Sequence, residues 1–412
     1  MKKEVVVTGR GLVTPIGVGL DQNEDSLRNG KSGIAFEPKW KELGLASCIC
    51  GQVDKSIDCP LLNKKNRRFM SQNNLSGAVA AYEAITEAGL TVEDLRKTRV
   101  AIVLGHGGSS QELSHVAASQ IERLGSSKRS SPFIVPKAMP SSAVANLSLM
   151  LGISGESYAI SSACASGSHA IMLASRLIQG GLYDMVITGG TEEVNWVQAA
   201  GFDAMRAISR SCNDTPETAS RPFDTSRDGF VIAEGAGILV LESAEHAKSR
   251  NARAIVKISG TAANNNTHDM VVPDADASAK VMEKSIIDAG LKPSDIDYIN
   301  THGTSTPVGD VIEIAAIKQV FYEENKNVAI NSTKSMTGHM IGATGAIEII
   351  FCTQMIDKSF ICPTINLDNQ DPETAWANIV KETISDVKVR HALSNSFGFG
   401  GTNSSVIVSA VD

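Results

Sequence analysis

The chain has 412 residues, of which 42% are hydrophobic and 20% are charged, and its formal net charge is −7 at pH 7. This composition excludes a disordered or low-complexity protein, and the negative charge gives no support to nucleic-acid binding over the whole surface. No apolar run approaches the roughly 20 residues that a transmembrane helix needs. The N-terminus runs directly into a strand-like segment without a signal-peptide pattern, so we expect a cytoplasmic location and no membrane contact.

Strand-like and helix-like segments alternate along the first part of the chain. Apolar runs that end in Gly or Ser predict buried strands over 4–9, 99–105, 184–190 and 235–243. Segments with helical spacing of apolar residues, and glycine near their ends, predict helices over 74–90 and 168–181.

After Arg253 the same pattern starts again. It predicts strands over 252–263 and 296–303, helices over 277–291 and 345–357, and two strands within 390–410. Such alternation indicates an α/β fold, with parallel or mixed sheets covered by helices. The restart suggests two similar halves, 1–252 and 253–412, and the lack of a Pro- or Ser-rich linker suggests that they share one core.

The seven cysteines indicate neither a disulfide framework nor a zinc site. Cys48 and Cys50 are too close for an ordinary disulfide, and no tandem CxxC pairs occur. Most are expected to be reduced structural thiols. Cys164 stands apart because it lies among small residues, just before the helix predicted over 168–181. Taken alone, this stretch favours a buried, space-filling cysteine over a reactive one.

Three later segments join turn-forming residues to functional groups: NTHGTSTPVGDVIEI (300–314), NSTKSMTGHMIGATGAIE (331–348) and SNSFGFGGTN (394–403). Loops at the ends of buried strands present reactive side chains in this way. A single histidine beside glycine is most often structural. Two of the eight histidines, His302 and His339, fall in these segments, and together with a lysine and Cys164 they indicate a catalytic site.

In order and spacing, SSACASGSHA, THGTSTPVGD, KSMTGH and NSFGFGGTN resemble the motifs of the elongating β-ketoacyl-acyl-carrier-protein synthases. The resemblance covers essentially the whole chain. It implies the thiolase-like fold, a five-layered αβαβα arrangement of two pseudo-symmetry-related halves, and a homodimer. It also implies that no cofactor is required.

The implied reaction is a decarboxylating condensation in fatty acid elongation, in which malonyl-acyl carrier protein reacts with an acyl chain held on Cys164. The position of Cys164 at a helix N-terminus would lower the pKa of its thiol. His302 and His339 would donate hydrogen bonds to the malonyl carbonyl oxygen. The backbone N–H groups of Cys164 and Phe399 would hold the acyl oxyanion, and Phe399 would gate the pocket.

Other positions match the family's supporting residues. Lys334 would form an ion pair with Glu313, and Thr304 and Thr306 would bond the pantetheine arm of the substrate. Asn300, Glu348 and Asn395 match a site for a structural monovalent cation.

A basic run within the acidic chain suggests where a partner binds. The acidic carrier protein would dock at Lys64, Lys65 and Arg68, with Arg129 extending the patch; otherwise the run is a solvated helix face.

The sequence departs from the usual pattern of the elongating synthases at His106 and Gly108, and these departures bear on specificity for the acyl chain. The missing side chain at Gly108 suggests a deeper acyl pocket, and a condensing subunit of a polyene or polyketide synthase is an alternative function.

Three other functions require different residues. A coenzyme A thiolase would need a second reactive cysteine near the C-terminus, and an initiating synthase would need a Cys–His–Asn set. A non-catalytic chain-length partner subunit usually lacks the cysteine found at position 164.

Overall fold

The computed structural model describes residues 2–108 and 110–411. Its strands follow the predicted alternation and add several short ones. They are β1 Val5–Thr14, β2 Gly17–Val18, β3 Ile34–Phe36, β4 Ile49–Gly51, β5 Val100–Gly105, β6 Ser157–Ile160, β7 Met185–Glu192, β8 Gly235–Ser243, β9 Val256–Asn265, β10 Tyr298–Asn300, β11 Ala329–Asn331, β12 Phe360–Ile361, β13 Ile384–Ser385, β14 His391–Gly398 and β15 Thr402–Ala410.

Helices connect these strands, and they range from four residues in α3 to 18 residues in α15. They are α1 Leu20–Arg28, α2 Pro38–Glu42, α3 Lys64–Arg67, α4 Gln72–Glu87, α5 Val92–Lys97, α6 Gln111–Leu124, α7 Ile134–Ala138, α8 Ser142–Leu151, α9 Ser166–Gln179, α10 Trp196–Ala204, α11 Ala244–Ser249, α12 Ala275–Asp288, α13 Gly309–Asn325, α14 Lys334–Thr337 and α15 Ile341–Lys358. None of the helices in the described residues is both long and apolar enough to cross a bilayer.

The two halves have the same strand order. Outward from the centre, the first half runs β1, β8, β7, β5, β6 and the second runs β9, β15, β14, β10, β11. In each half the first three strands are antiparallel, and the last two run parallel to the third. Within the sheet, a short antiparallel pairing of β1 with β9 joins the two half-sheets. The predicted pseudo-symmetry is therefore confirmed in the strand order itself.

Helices complete five layers around the two half-sheets. Helices α9 and α15 pack against each other between the half-sheets, α4 covers the outer face of β1 and β8, and α12 covers β9 and β15. Helix α15 is buried along its length from Ile341 to Met355, as expected for a helix with protein on all sides. The αβαβα arrangement predicted from the sequence is confirmed.

Small residues allow the two central helices to approach closely. A Cβ at Gly167 of α9 would lie 2.9 Å from the backbone nitrogen of Ala346 in α15. A Cβ at Gly345 would lie 2.2 Å from the hydroxyl oxygen of Ser168. Because real Cβ contacts are longer, glycine is required at this crossing. The crossing brings the N-termini of α9 and α15 together, and the site lies there.

Candidate active site

Cys164 lies in a tight turn between β6 and α9, which we call the elbow (Ser162–Cys164). Within it Ala163 has a φ of 49°, a left-handed conformation that costs a non-glycine residue free energy. Ser166 holds this turn, since its hydroxyl accepts from Ser162 N at 2.9 Å and donates to Ala163 O at 2.6 Å. The elbow therefore presents the thiol two residues before the first helical residue.

His339 occupies the corresponding place in the second half, two residues before α15. Its Nε2 lies 3.1 Å from Cys164 Sγ, and its Nδ1 lies 3.0 Å from the hydroxyl of Thr344. Its backbone N–H donates to the carbonyl of Val231 at 2.7 Å. The thiol and this imidazole thus meet because both precede the central helices.

His302 completes the group from the end of β10. Its ring stands edge-on to that of His339, with centroids 5.4 Å apart. One ligand atom from each of Cys164, His302 and His339 lies within 4.8 Å of the others. Sulfur and imidazole donors also suit zinc, but a metal here would occupy the atoms that thioester chemistry needs. The structure brings together the three residues that the sequence placed at the centre of the site.

The expected lowering of the Cys164 pKa is wrong. Burial raises the pKa of this thiol to about 12, opposed by the positive charge of Lys334 and by the backbone N–H groups of Phe399 and Cys164. Helix α9 begins only at Ser166, two residues after Cys164, so the positive end of the helix dipole does not offset the effect of burial on the thiol pKa. The resting sulfur is therefore a protonated thiol.

Both histidines are neutral. Burial lowers the pKa of His302 and of His339 well below the usual value for imidazole, and the charge of Lys334 lowers both further. A neutral imidazole presents one N–H donor and one acceptor. Each ring can therefore donate to an oxygen without carrying charge.

The predicted ion pair of Lys334 with Glu313 is also wrong. Lys334 Nζ lies 2.7 Å from Glu348 Oε1, and both side chains are almost fully buried. Glu348 reaches the lysine because it projects from the central helix α15. A buried carboxylate of this kind needs the cation, since an unpaired charge in the interior is costly.

Glu313 instead shapes the loop that carries His302. Its carboxylate accepts from His302 N at 2.8 Å, from Gly303 N at 2.7 Å and from Asn395 Nδ2 at 3.2 Å. Burial raises the pKa of Glu313 to about 7, against these donors. It acts on the histidine backbone and so sets where the imidazole points.

The gate loop, Phe399–Gly401, follows β14 and packs on the elbow. Gly398 lies at the contact, where a Cβ would come within 3.0 Å of Ser162 O and 3.2 Å of Cys164 N. Thr402 donates to Ser162 O at 3.1 Å from the other side of the loop. The backbone N–H of Phe399 consequently faces the sulfur of Cys164.

A single cavity of about 320 Å³ leads to this group. Cys164 and both histidines line it, as do Thr304 and Thr306. Val308 and Ile341, from two of the motif segments, also line it. Much of the remaining wall comes from separate segments that carry no such motif: Phe202, Met205, Arg206, Phe230, Met270, Val271 and Val272.

The predicted cation ligands are only partly brought together. Asn300 Nδ2 and Glu348 Oε1 both bond the hydroxyl of Thr333, at 3.3 and 3.1 Å. Asn300 Oδ1 and Glu348 Oε2 are buried without a hydrogen-bond partner among the described residues. Two such oxygens fit a cation that takes oxygen ligands.

Asn395 faces the other way. Asn300 pairs with Ser394 across parallel strands, so their side chains share one face and that of Asn395 projects from the opposite face. The amide of Asn395 accordingly bonds Glu313. The buried hydroxyl of Ser394 has no partner within the described chain and lies on the Asn300 face, whereas Asn395 Oδ1, also buried without a partner, lies on the opposite face.

The basic residues lie apart from the cavity wall. Lys64 and Lys65 are exposed on α3 and Arg68 is exposed at its end, but none of the three lines the cavity. Arg206 is the basic residue that does line it.

The expectation of a deeper pocket at Gly108 is not met in this chain. A Cβ there would lie 2.7 Å from the amide nitrogen of Gln198, so that side chain fills the space. His106 is buried and its Nδ1 lies 2.9 Å from the carbonyl of Thr191.

Comparison with known proteins fits this arrangement. The sequence model of the β-ketoacyl synthase N-terminal domain matches residues 2–247, and that of the C-terminal domain matches residues 253–368. The chain belongs to the β-ketoacyl synthase family. The 3-oxoacyl-[acyl-carrier-protein] synthase 1 of Escherichia coli K12 is 42% identical over 407 residues, with 98% of each chain covered.

Solved structures show the same likeness. A β-ketoacyl synthase from Burkholderia phymatum has a TM-score of 0.93 at 33% identity, with both chains covered completely. A type II polyketide ketosynthase solved in complex with its acyl-carrier protein has a TM-score of 0.91 at 33% identity, also over both complete chains. The fold of this synthase is thus the one that the sequence motifs predicted.

Proposed function

We propose that the protein is a 3-oxoacyl-acyl-carrier-protein synthase, which condenses malonyl-acyl carrier protein with an acyl chain held on Cys164 in fatty acid elongation. The observation that carries this proposal is the contact of Cys164 Sγ with His339 Nε2 at 3.1 Å, with His302 beside it in one cavity. That arrangement suits a carbon–carbon bond formed between two thioesters.

In the first half-reaction the acyl chain moves to the enzyme. Cys164 Sγ attacks the acyl carbonyl carbon, the bond to the pantetheine sulfur breaks, and the thiol proton ends on the departing sulfur. The N–H groups of Cys164 and Phe399 stabilise the oxyanion that forms on the way. Thr304 and Thr306, on the cavity wall, would bond the pantetheine arm.

In the second half-reaction the malonyl group loses CO2. The electron pair of the broken carbon–carbon bond forms an enolate, whose oxygen accepts hydrogen bonds from His302 and His339. The enolate carbon then attacks the acyl carbonyl carbon on Cys164, and the bond between that carbon and Cys164 Sγ breaks. The thiolate that leaves takes up a proton from solvent, which restores the Cys164 thiol. Burial, aided by the positive charge of Lys334, keeps both imidazoles neutral, and each can still donate one N–H.

Substitution of Cys164 tests this proposal. Cys164→Ala should lose condensation because no thiol accepts the acyl chain, while malonyl decarboxylation persists on the two histidines. Product formation from acyl- and malonyl-acyl carrier protein, with CO2 release measured separately, decides the matter. Continued chain elongation by Cys164→Ala would refute the assignment.

A second copy of the chain would fit the exposed edge of β6. This strand pairs only with β5 in the described residues, and Tyr158 on it is 41% exposed. Carbonyls of Glu156 and Ile160 face β5, so the N–H of Ala159 points outward and is free to pair. Ala159→Pro removes that N–H and should give a monomer in light scattering, whereas Ala159→Val should stay dimeric. A dimeric Ala159→Pro would contradict this arrangement.

A monovalent cation would fit the unpartnered oxygens of Asn300, Glu348 and Ser394. Bound there, it would neutralise charge on Glu348 beside Lys334. We expect K⁺ or Na⁺, but not tetramethylammonium, to raise the melting temperature, and Asn300→Ala to remove the difference. Equal melting temperatures in all three salts would exclude the site.

A further inference from the structure

Thr344 contacts the catalytic centre only through another residue. It lies in the first turn of α15, its side chain is 1% exposed, and its hydroxyl lies 3.0 Å from His339 Nδ1. It does not line the cavity, and no other partner of its hydroxyl is within hydrogen-bond distance among the described residues. Its effect on the reaction must therefore pass through the His339 ring.

The hydrogens in this contact favour one arrangement. If Nδ1 carried the proton and donated to Thr344, the hydroxyl hydrogen would be buried without an acceptor. If the hydroxyl donates to Nδ1, the ring proton is on Nε2, where it faces Cys164 Sγ at 3.1 Å. Because an unsatisfied buried donor is costly, the arrangement with the proton on Nε2 of His339 is favoured.

The same hydroxyl also fixes which way the ring faces. A half-turn about the Cβ–Cγ bond would exchange Nδ1 with a carbon and replace Nε2 by Cε1 at the thiol. The flanking contacts of the ring are apolar on one side, where Phe230 stands edge-on with its centroid 5.4 Å away. Packing of that kind does not separate the two orientations, whereas a hydroxyl beside Nδ1 does.

We propose that Thr344 is a positioning residue that holds His339 with its Nε2–H directed at the thiol and at the carbonyl oxygen of the malonyl thioester. The catalytic part of this inference rests on the proposed function. It predicts that Thr344 matters for enolate formation and much less for transfer of the acyl chain to Cys164, in which the backbone donors hold the oxyanion.

Three substitutions in α15 separate this role from a structural one. Thr344→Val keeps the shape and removes the hydroxyl, and Thr344→Ser keeps the hydroxyl. Thr353→Val makes the same change at a buried threonine farther along the same helix, whose hydroxyl donates to Ile350 O at 2.6 Å.

We expect Thr344→Val to lower kcat for malonyl decarboxylation by about tenfold or more, because loss of a partner that orients a catalytic group commonly has an effect of this size. The rate of acyl transfer to Cys164 should change by less than about twofold. Thr344→Ser should restore the rate, and Thr353→Val should leave both half-reactions unchanged. Nitrogen chemical shifts of ¹⁵N-labelled histidine should show Nε2 protonated in the wild type and a changed His339 signal in Thr344→Val.

Two results would overturn the inference: equal loss of both half-reactions in Thr344→Val, or a wild-type His339 protonated at Nδ1. Failure of the proposed function would look different, since the wild type itself would then form no 3-oxoacyl product.

Discussion

The ionisation of Cys164 is decided by its burial. The elbow places the sulfur before a helix N-terminus, yet loss of water around it raises the thiol pKa to about 12 despite Lys334 and the nearby N–H groups. The sequence reveals the position relative to the helix but not the depth of burial. The direction of the pKa shift could therefore only be read from the structure.

Alkylation of Cys164 should follow this raised pKa. Since only the thiolate reacts, the rate with iodoacetamide should rise close to tenfold per pH unit between about pH 7 and 10. Mass spectrometry of the Cys164 peptide gives the rate for this thiol alone. A rate that levels off below pH 8 would show a thiolate–imidazolium pair instead.

The Lys334–Glu348 pair should be revealed by stability. Lys334→Met leaves the Glu348 carboxylate buried without its cation, and breaking such a pair typically costs about 3–5 kcal/mol. The double variant Lys334→Met with Glu348→Gln removes the stranded charge and should recover much of the free energy of unfolding in urea. An undiminished loss in the double variant would mean that the pair is not the cause.

The sequence motifs identify the reacting side chains, but the hydrogen-bond and ion-pair partners of the supporting residues depend on how the helices and strands pack. Cys164, His302 and His339 lie together as predicted because each motif marks the end of a strand or the start of a central helix. Glu313 and Glu348 are both acidic residues on helices near Lys334, and sequence spacing does not say which helix faces the lysine. The orientation of Asn395 likewise depends on strand register, which the sequence does not fix.

At the scale of elements, the gate depends on backbone contact with the elbow. Gly398→Ala should push the gate loop away from the elbow, because the added Cβ would lie 2.7–3.2 Å from atoms of Thr402, Ser162 and Cys164. The displaced Phe399 N–H should slow acyl transfer by about tenfold or more.

Gly201→Ala is the matched control for this change. Gly201 lies in α10 with nothing within 4 Å of its added Cβ, so the variant should keep full activity and gain up to about 1 kcal/mol of stability. Normal acyl transfer by Gly398→Ala would show that the gate does not need this contact.

Long elements were predictable and short ones were not. Helix α9 and strands β7 and β8 have clear apolar patterns, and their predicted bounds lie close to the observed ones. The short strands β6 and β11 carry too few residues for a pattern, and helix α13 begins inside a segment whose turn-forming and functional residues predict a loop. The strand order became visible only in the structure, since pairing joins segments far apart in sequence.

At the scale of the whole molecule, the repeat of one topology explains where the site is. Each half contributes one central helix, and Cys164 and His339 each lie two residues before the N-terminus of one of these helices. The restart of the sequence pattern predicted two halves, and the strand order confirms them. The division at 252/253 and the cytoplasmic location stay predictions.

Docking of an acidic carrier protein at the basic run stays a prediction, and charge reversal tests it. Reversal of Lys64, Lys65 and Arg68 to glutamate should raise KM for carrier-bound substrate at low salt, because exposed charges act over about 10 Å at 0.1 M ionic strength. Turnover on a small pantetheine thioester should stay nearly the same, and the difference should fade as salt rises. Unchanged carrier-protein kinetics at low salt would leave the run as a solvated helix face.

The measurement that tests the central claim most directly is the mass of the protein after incubation with an acyl-acyl carrier protein and no malonyl substrate. A thioester at Cys164 predicts a gain equal to one acyl group, located on the Cys164 peptide, absent in Cys164→Ala and discharged when malonyl-acyl carrier protein is added. An adduct on another residue, or product formation without any adduct on Cys164, would contradict the account.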